Sequence, residues 1–528
     1  MTYKVLISDP LSPDGIQALL EASDVEVDQI TGKTEAELSE IIGEYDALLV
    51  RSQTKVTRNL LSRAVRLKVI GRAGVGVDNI DLNAATEQGV IVINAPDGNT
   101  VSTAEHTFSM MMALARRIPQ AYLSLKNGKW DRKSFVGVEL SGKTLGIVGL
   151  GRIGTEVAKR AKAFNMNVLA YDPYLTREKA EKLGIAAVEL TEVLTKADFI
   201  TVHTPLTKET RHLIGKKEIR SMKDGVYLLN CARGGIIDEM ALYEAIKEGK
   251  VAGAALDVFE EEPAIHHPLL ELPQVIATPH LGASTVEAQE NVAIDVSKEI
   301  LKVLRNEPYK NSVNLPSIPP HLMKKLENYL QLSEKMGLFL AQVTKGAIKE
   351  VEIAYAGELG EEEMGPLTRS ILKGLLSHHL EARVNYVNAL YLAKQRGILI
   401  QEQKSESAGG FANLITVKVK TDSGEHLVAG TSLNGYGARF VKVDHYTVDL
   451  APTGHLIYVR HFDKPGVIGR VGSLLGSRDV NIASMQVGRT DQGGNAIMLL
   501  TVDKAISDAD AEALSTLPEI ASVTRVDL

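Results

Sequence analysis

Leu145-Gly146-Ile147-Val148-Gly149-Leu150-Gly151-Arg152-Ile153-Gly154 is the stretch on which the reading of this chain turns. An apolar run leads into three glycines at the spacing G-x-G-x-x-G, and residues 155–164 have the texture of a helix. Glycines allow the tight turn and let the backbone approach a pyrophosphate, while the helix N-terminus offers unpaired N–H groups and partial positive charge. A second apolar strand, residues 168–171, ends at Asp172, 18 residues after the last glycine. A carboxylate there accepts hydrogen bonds from a ribose diol and repels a 2′-phosphate, so NAD is expected rather than NADP.

Downstream, several apolar runs end in polar residues, and ligands of open α/β sheets bind beyond the carboxyl ends of strands. Residues 199–202 run into His203-Thr204-Pro205, and residues 226–229 into Asn230-Cys231-Ala232-Arg233. Residues 251–256 run into Asp257 and Glu260-Glu261-Glu262, and residues 275–277 into Thr278-Pro279-His280. An arginine, a carboxylate and a histidine should therefore meet in one crevice. That set suits oxidation of a 2-hydroxy acid. The histidine takes the hydroxyl proton, the carboxylate stabilises the imidazolium, and the arginine holds the substrate's carboxylate and carbonyl oxygen. Cys231 reads as a small residue beside the cofactor, because no base is specified by its spacing. The pairs His266-His267 and His378-His379 lack the spacing that sets two imidazoles on one helix face, so no metal is expected.

The rest of the chain surrounds this unit. At 528 residues it should form three or four domains. Its 59 basic and 66 acidic side chains give −7, which provides no global positive field for nucleic acid or an anionic membrane. The longest stretch without Asp, Glu, Lys or Arg is 15 residues, 272–286, and a bilayer span needs about 20 apolar ones. Residues 1–8 are too short an apolar segment for a secretory signal. One cysteine permits no intrachain disulfide and points to the cytoplasm.

Before the glycine turn, short β-branched runs (5–7, 48–50, 69–70, 90–93) alternate with helical segments such as 12–21, and a longer helix is expected over 101–117. Ser284-Thr285-Val286-Glu287 reads as a capping box opening a helix to about Leu304, with Ala288, Val292, Val296 and Ile300 on one face. Residues 311–320 carry three prolines and read as a semi-rigid linker. Beyond it come helices, for example over 381–395, and a strand-rich stretch, 414–448. The C-terminal segment reads as strand 456–459, helix 467–477, strands 482–487 and 496–502, helix 507–516 and strand 523–526. This βαββαβ order is the ferredoxin-like unit.

The turn Gly149 to Gly154 with Asp172, the segment Asn230-Cys231-Ala232-Arg233-Gly234-Gly235, Leu256-Asp257-Val258-Phe259 through Glu262-Pro263, and Pro279-His280-Leu281-Gly282 together resemble the D-isomer-specific 2-hydroxyacid dehydrogenases. Arg51, Arg72-Ala73-Gly74-Val75-Gly76-Val77-Asp78-Asn79, the segment 130–135 and the C-terminal domains are similar to that family's long-form, phosphoglycerate-oxidising branch. The resemblance implies an α/β fold with a doubly wound Rossmann cofactor domain (98–283) inserted into a flavodoxin-like substrate domain (1–97 and 284–311). An α+β intervening domain (312–452) and an ACT domain (453–528) follow.

The resemblance further implies that Arg233, Glu262 and His280 are catalytic and that the backbone at Val75 and Gly76 lies near the substrate carboxylate. Cofactor contacts are implied at Val75, Gly149, Gly151, Arg152, Ile153, Gly154, Asp172, Thr204, Cys231, Ala232, Arg233, Asp257, His280, Leu281, Gly282 and Ala283. Many relatives have threonine where Val75 stands, so this chain has no hydroxyl there to offer the cofactor. Arg51, Arg72 and Arg132 are expected to hold a substrate phosphate, because guanidinium forks match phosphate oxygens; Arg132 could reach it from a neighbouring subunit. The implied reaction oxidises 3-phospho-D-glycerate to 3-phosphohydroxypyruvate, the first step toward L-serine. In the family, the positions of His461, Asp463 and Asn481 form an effector site for L-serine between two ACT domains, which implies a homotetramer or other homo-oligomer. The rivals are a dehydrogenase for another 2-hydroxy acid and an NAD-sensing interaction protein on the same fold.

Overall fold

Four β-sheets follow one another along the chain in a computed structural model that describes residues 2–316, 320–361, 364–380 and 383–528. The first is wholly parallel, in the order Val25–Gln29, Tyr3–Ile7, Ala47–Val50, Val69–Arg72, Ile91–Asn94. That is the flavodoxin-like order. Its edge strand, Val25–Gln29, mixes valines with charged and polar residues and has no apolar run to announce it. Helices Pro13–Leu20 and Val286–Leu304 lie against the sheet and against each other. They meet at Gly15, where an added Cβ would lie 2.4 Å from that of Ala293, and where Ser297 Oγ donates to the Gly15 carbonyl at 3.0 Å.

Ala288, Val292, Val296 and Ile300 are all buried, as the spacing predicts. The cap differs by one residue. Thr285, not Ser284, accepts from the Ala288 amide, because Ser284 closes the preceding turn through its own amide to the Leu281 carbonyl. The proline-rich segment also differs from a plain linker at its start. Ser312 bridges Ile93, and Asn314 bonds the backbone of Val90 and Val92, so the segment extends the sheet edge. Residues 317–319 lie outside the described residues.

The second sheet has seven parallel strands, in the order Val275–Ala277, Val251–Leu256, Val226–Asn230, Phe199–Val202, Thr144–Val148, Asn167–Tyr171, Ala186–Ala187. Apolar clusters cover both faces, one around Val148, Val193, Ile200 and Leu228, the other around Leu145, Ile147, Val157 and Phe199. The strand order reverses between Thr144–Val148 and Phe199–Val202, which opens a crevice at their carboxyl ends. The helix expected over 101–117 runs Thr100–Ala115.

The third sheet has six strands, and the expected strand-rich stretch supplies Asn413–Thr421, Glu425–Leu433, Gly437–Val443 and Tyr446–Leu450. The helix expected over 381–395 is only Ala389–Gln395; Glu381 and Ala382 lie outside the described residues. Over 383–388 the asparagine side chains win the backbone over. Asn388 Oδ1 accepts from the Asn385 amide at 2.8 Å, and Asn385 Nδ2 reaches the Gly89 carbonyl of the first unit at 2.8 Å. The fourth sheet is antiparallel, in the order Ile482–Arg489, Asn495–Val502, His455–Phe462, Ile520–Asp527, with helices Val467–Ser477 and Asp508–Ser515. Among the described residues no helix is long and apolar enough to cross a membrane.

Candidate active site

The glycine turn sits at the strand reversal. Gly149 has φ 95°, and an added Cβ on Gly154 would lie 2.2 Å from the Gly149 carbonyl oxygen, so the first and third glycines serve the turn and its close packing. A Cβ on Gly151 would meet nothing within 4 Å. The middle glycine therefore leaves open space in front of the helix Arg152–Ala163, whose first residues are Arg152 and Ile153. Asp172 ends the second strand and accepts from the Leu150 amide at 2.8 Å, which ties the strand end to the turn. Thr204, two residues past the strand Phe199–Val202, has a buried hydroxyl without a partner. An open cradle of backbone amides, a carboxylate at its rim and an orphaned hydroxyl fit NAD.

The other residues expected to contact the cofactor stand at the glycine turn or just past the ends of neighbouring strands. Cys231 is buried, and burial with nearby Asp257 pushes its thiol up to about 12, so no thiolate exists at neutral pH. Ala232 follows it, its amide donating to Asn230 Oδ1. The Arg152 guanidinium is engaged in an ion pair with Asp97, where the chain passes from the first sheet to the second. Asp257 is almost fully buried and accepts from the amides of Leu281 and Gly282 at 2.7 and 2.8 Å. Burial raises its carboxyl, but hydrogen bonds from His106, Thr278 and Leu281 outweigh this and hold it below the ordinary carboxylate range. Its direct work is to shape the loop 280–283.

A cavity of about 920 Å3 lies between the first and second units and is lined by Arg51, Arg72, Val75, Gly76, Arg233, Glu262, His280 and Ala283, among others. His280 Nδ1 is 2.9 Å from Glu262 Oε2. With the proton on Nδ1, that pairing leaves Nε2 free to accept another. Arg233 Nε is 3.3 Å from Asp78 Oδ2. Gly76 makes this approach possible, since a Cβ there would lie 2.1 Å from Arg233 Nη2. Arg72 Nε is buried without a partner. Burial, then the charges of Arg233 and Arg51, push the Arg72 guanidinium down to about 10, still cationic at neutral pH. Three guanidinium groups with one exposed aspartate among them form a site for an anion. Arg132 does not line this cavity; it lies in the exposed segment after the helix Ile118–Lys126.

Residues 108–282 match the D-isomer specific 2-hydroxyacid dehydrogenase NAD binding domain, residues 325–444 the D-3-phosphoglycerate dehydrogenase intervening domain, and residues 455–519 the ACT domain. A D-3-phosphoglycerate dehydrogenase of Bacillus subtilis is 50% identical over 526 residues, 100% of both chains. The chain belongs to the D-3-phosphoglycerate dehydrogenase family. A family member from Methanocaldococcus jannaschii is also 50% identical, over 99% of this chain and 100% of its own. Among solved structures, a D-lactate dehydrogenase from Aquifex aeolicus complexed with NAD and lactic acid is 33% identical, with a TM-score of 0.52. It covers 60% of this chain and 100% of its own.

In this member of the D-3-phosphoglycerate dehydrogenase family the ACT residues lie apart from the cavity. His461 is buried, with Nδ1 on the Phe462 carbonyl and Nε2 without a partner. Asp463 does not cap the following helix, whose N-cap is Gly466; it pairs with Arg489 at 2.9 Å. Asn481 donates to Asp503 at 2.8 Å. Several supporting residues carry no motif that singles them out in the sequence. Asp9 accepts from the amides of Arg51 and Thr54, at 2.6 and 3.0 Å, and so shapes the Arg51 loop. Asn94 Nδ2 holds the Val75 carbonyl at 2.6 Å, and His106 faces Asp257. Asp9 and Asn94 both follow apolar runs, the same strand-end signal that marks Asp172 and Arg233.

Proposed function

We propose that the chain oxidises 3-phospho-D-glycerate to 3-phosphohydroxypyruvate with NAD, the first step toward L-serine, with Arg233, Glu262 and His280 as its catalytic residues. The observation that carries this reading is the His280–Glu262 pair at 2.9 Å in one cavity with Arg72 and Arg233. His280 Nε2 takes the hydroxyl proton, and Glu262 stabilises the resulting imidazolium. Arg233 binds the carboxylate and the carbonyl oxygen as charge grows there, beside the Val75 and Gly76 backbone. Arg51 and Arg72 take the phosphate, and Arg132 joins them from a neighbouring subunit. The glycine turn and Asp172 would hold NAD, which would supply the hydride acceptor for the substrate carbon. Segments 1–97 with 284–311, 98–283, 312–452 and 453–528 act as the substrate, cofactor, intervening and regulatory domains.

Steady-state oxidation assays with 3-phospho-D-glycerate, D-lactate and D-glycerate test the substrate. The phosphorylated acid should have the highest kcat/KM, and a preference for either of the others would refute the reading.

L-Serine is the proposed effector, bound by His461, Asp463 and Asn481 between ACT domains of two copies in a cytoplasmic homo-oligomer. Asp463 already pairs with a cation, Arg489, and a serine amino group would take the same role. The helix Ile118–Lys126 supports self-association: none of its residues is buried, and it exposes Ile118, Tyr122, Leu123 and Leu125, with Trp130 80% exposed beyond it. Inhibition requires that serine bind active and inactive states unequally. Calorimetric titration with L-serine should saturate for the unmodified protein and weaken at least about tenfold for Asp463→Ala, as expected when a charged partner is removed. No saturable binding, or a monomeric mass by light scattering at the same concentration, would end this part of the proposal.

A further inference from the structure

The loop that carries Glu262 is held from behind by side chains outside the cavity. Glu262 itself uses one oxygen for His280 and the other for the Phe259 amide, at 3.2 Å. The next amide, of Glu260, donates to Glu239 Oε1 at 2.6 Å. Glu239 opens the helix Glu239–Lys247 and is 8% exposed, so its carboxylate is fixed by that helix rather than by the loop. Its second oxygen lies 3.0 Å from His267 Nε2. His267 Nδ1 accepts from the Leu269 amide at 3.3 Å, which puts the ring's proton on Nε2, facing Glu239. The same ring lies 5.3 Å from that of Phe259, between centroids. Two consecutive amides of the loop are thus satisfied by two carboxylates, one catalytic and one anchored in the adjoining helix.

We infer that Glu239 and His267 are positioning residues that fix the Phe259–Glu260 backbone and thereby hold the Glu262 carboxylate against His280. The inference rests on the proposed role of Glu262. A carboxylate swung away from His280 by even a fraction of an ångström loses its grip on the imidazolium, while the cofactor crevice is unaffected. Burial pushes the Glu239 carboxyl up to about 7 in spite of the Glu260 amide, with Glu260, His212 and Asp238 as its charged neighbours. A neutral acceptor at 239 is therefore a mild change, and glutamine is the conservative variant.

The test is a double-mutant cycle on kcat. Glu239→Ala should lower kcat about tenfold with KM for NAD changed less than about twofold, and Glu239→Gln should recover most of the loss. Because Glu239 acts through Glu262, Glu239→Ala in a Glu262→Gln background should cost less than about twofold more. His267→Phe keeps a ring against Phe259 but removes the donor to Glu239. It should lower kcat in the wild-type background and not in the Glu262→Gln background, and it serves should the alanine variant not fold. An equal loss in both backgrounds, or full kcat in Glu239→Ala, overturns the inference. Full activity of Glu262→Gln alone overturns the role of Glu262 and the inference with it.

Discussion

His280→Asn is expected to lower kcat for oxidation by about 10²- to 10⁴-fold, the usual contribution of a positioned general base. Asparagine is the informative replacement because residue 280 sits at φ 56°, a left-handed conformation that asparagine tolerates and most residues resist. The loop should keep its shape, since the Leu281 and Gly282 amides bond Asp257 at 2.7 and 2.8 Å without the ring. NADH affinity, followed by fluorescence titration, should therefore change by no more than a few-fold. A variant that keeps more than about a tenth of the activity would remove His280 from the chemistry. Glu262→Gln gives a companion effect of a different kind. A neutral amide at the same 2.9 Å contact no longer sets a negative charge against the ring that takes up the proton, so kcat should fall while a weaker catalyst remains. Unchanged kcat would leave Glu262 without a role.

Arg72→Ala is expected to raise KM for 3-phospho-D-glycerate by about 10²-fold, the scale of removing a charge-assisted, bidentate hydrogen-bonding group from a buried site. For unphosphorylated D-glycerate the change should be no more than about threefold. The reason lies in the wall of the cavity. Arg72 Nε is buried without a partner, and the guanidinium is pressed by burial and by Arg233 and Arg51. A bound phosphate relieves both costs at once. The alanine variant forgoes that gain but keeps Arg233 for the substrate carboxylate, so the two substrates should separate. Equal increases in KM for both would refute a phosphate role and assign Arg72 to the carboxylate end.

How much of this is legible in the chain varies with the range of the interaction that decides it. The helix face Ala288, Val292, Val296 and Ile300 is readable because one buried stripe imposes its period on the residues themselves. Its cap stands one residue later than the pattern suggests, since Ser284 and Thr285 are both competent caps and only the Leu281 turn chooses between them. The helix expected over 381–395 is shorter than its composition suggests for a related reason. Asn385 and Asn388 are weak helix formers, and what they bond instead, at Gly89 and within their own turn, is visible only with the first unit in place. The proline-rich segment after Asn311 reads as a semi-rigid linker, but Asn314 bonds backbone groups on the sheet edge.

Legible in the chain alone are the glycine turn, the carboxylate that follows it, the alternation of strands and helices in the first two units, and the βαββαβ order at the C-terminus. Each of these is written in neighbouring residues through period, cap or spacing. The packing of separate elements brought Glu262, which the resemblance singles out of Glu260-Glu261-Glu262, to within 2.9 Å of His280 and set Arg72 and Arg233 on one wall. It also decided that Asp257 serves the loop 280–283 and that Glu239 and His267 brace the loop of Glu262. Those pairings join residues from separate strands and helices, and a side chain's partner across such a distance is set by how the elements pack, which no local pattern records.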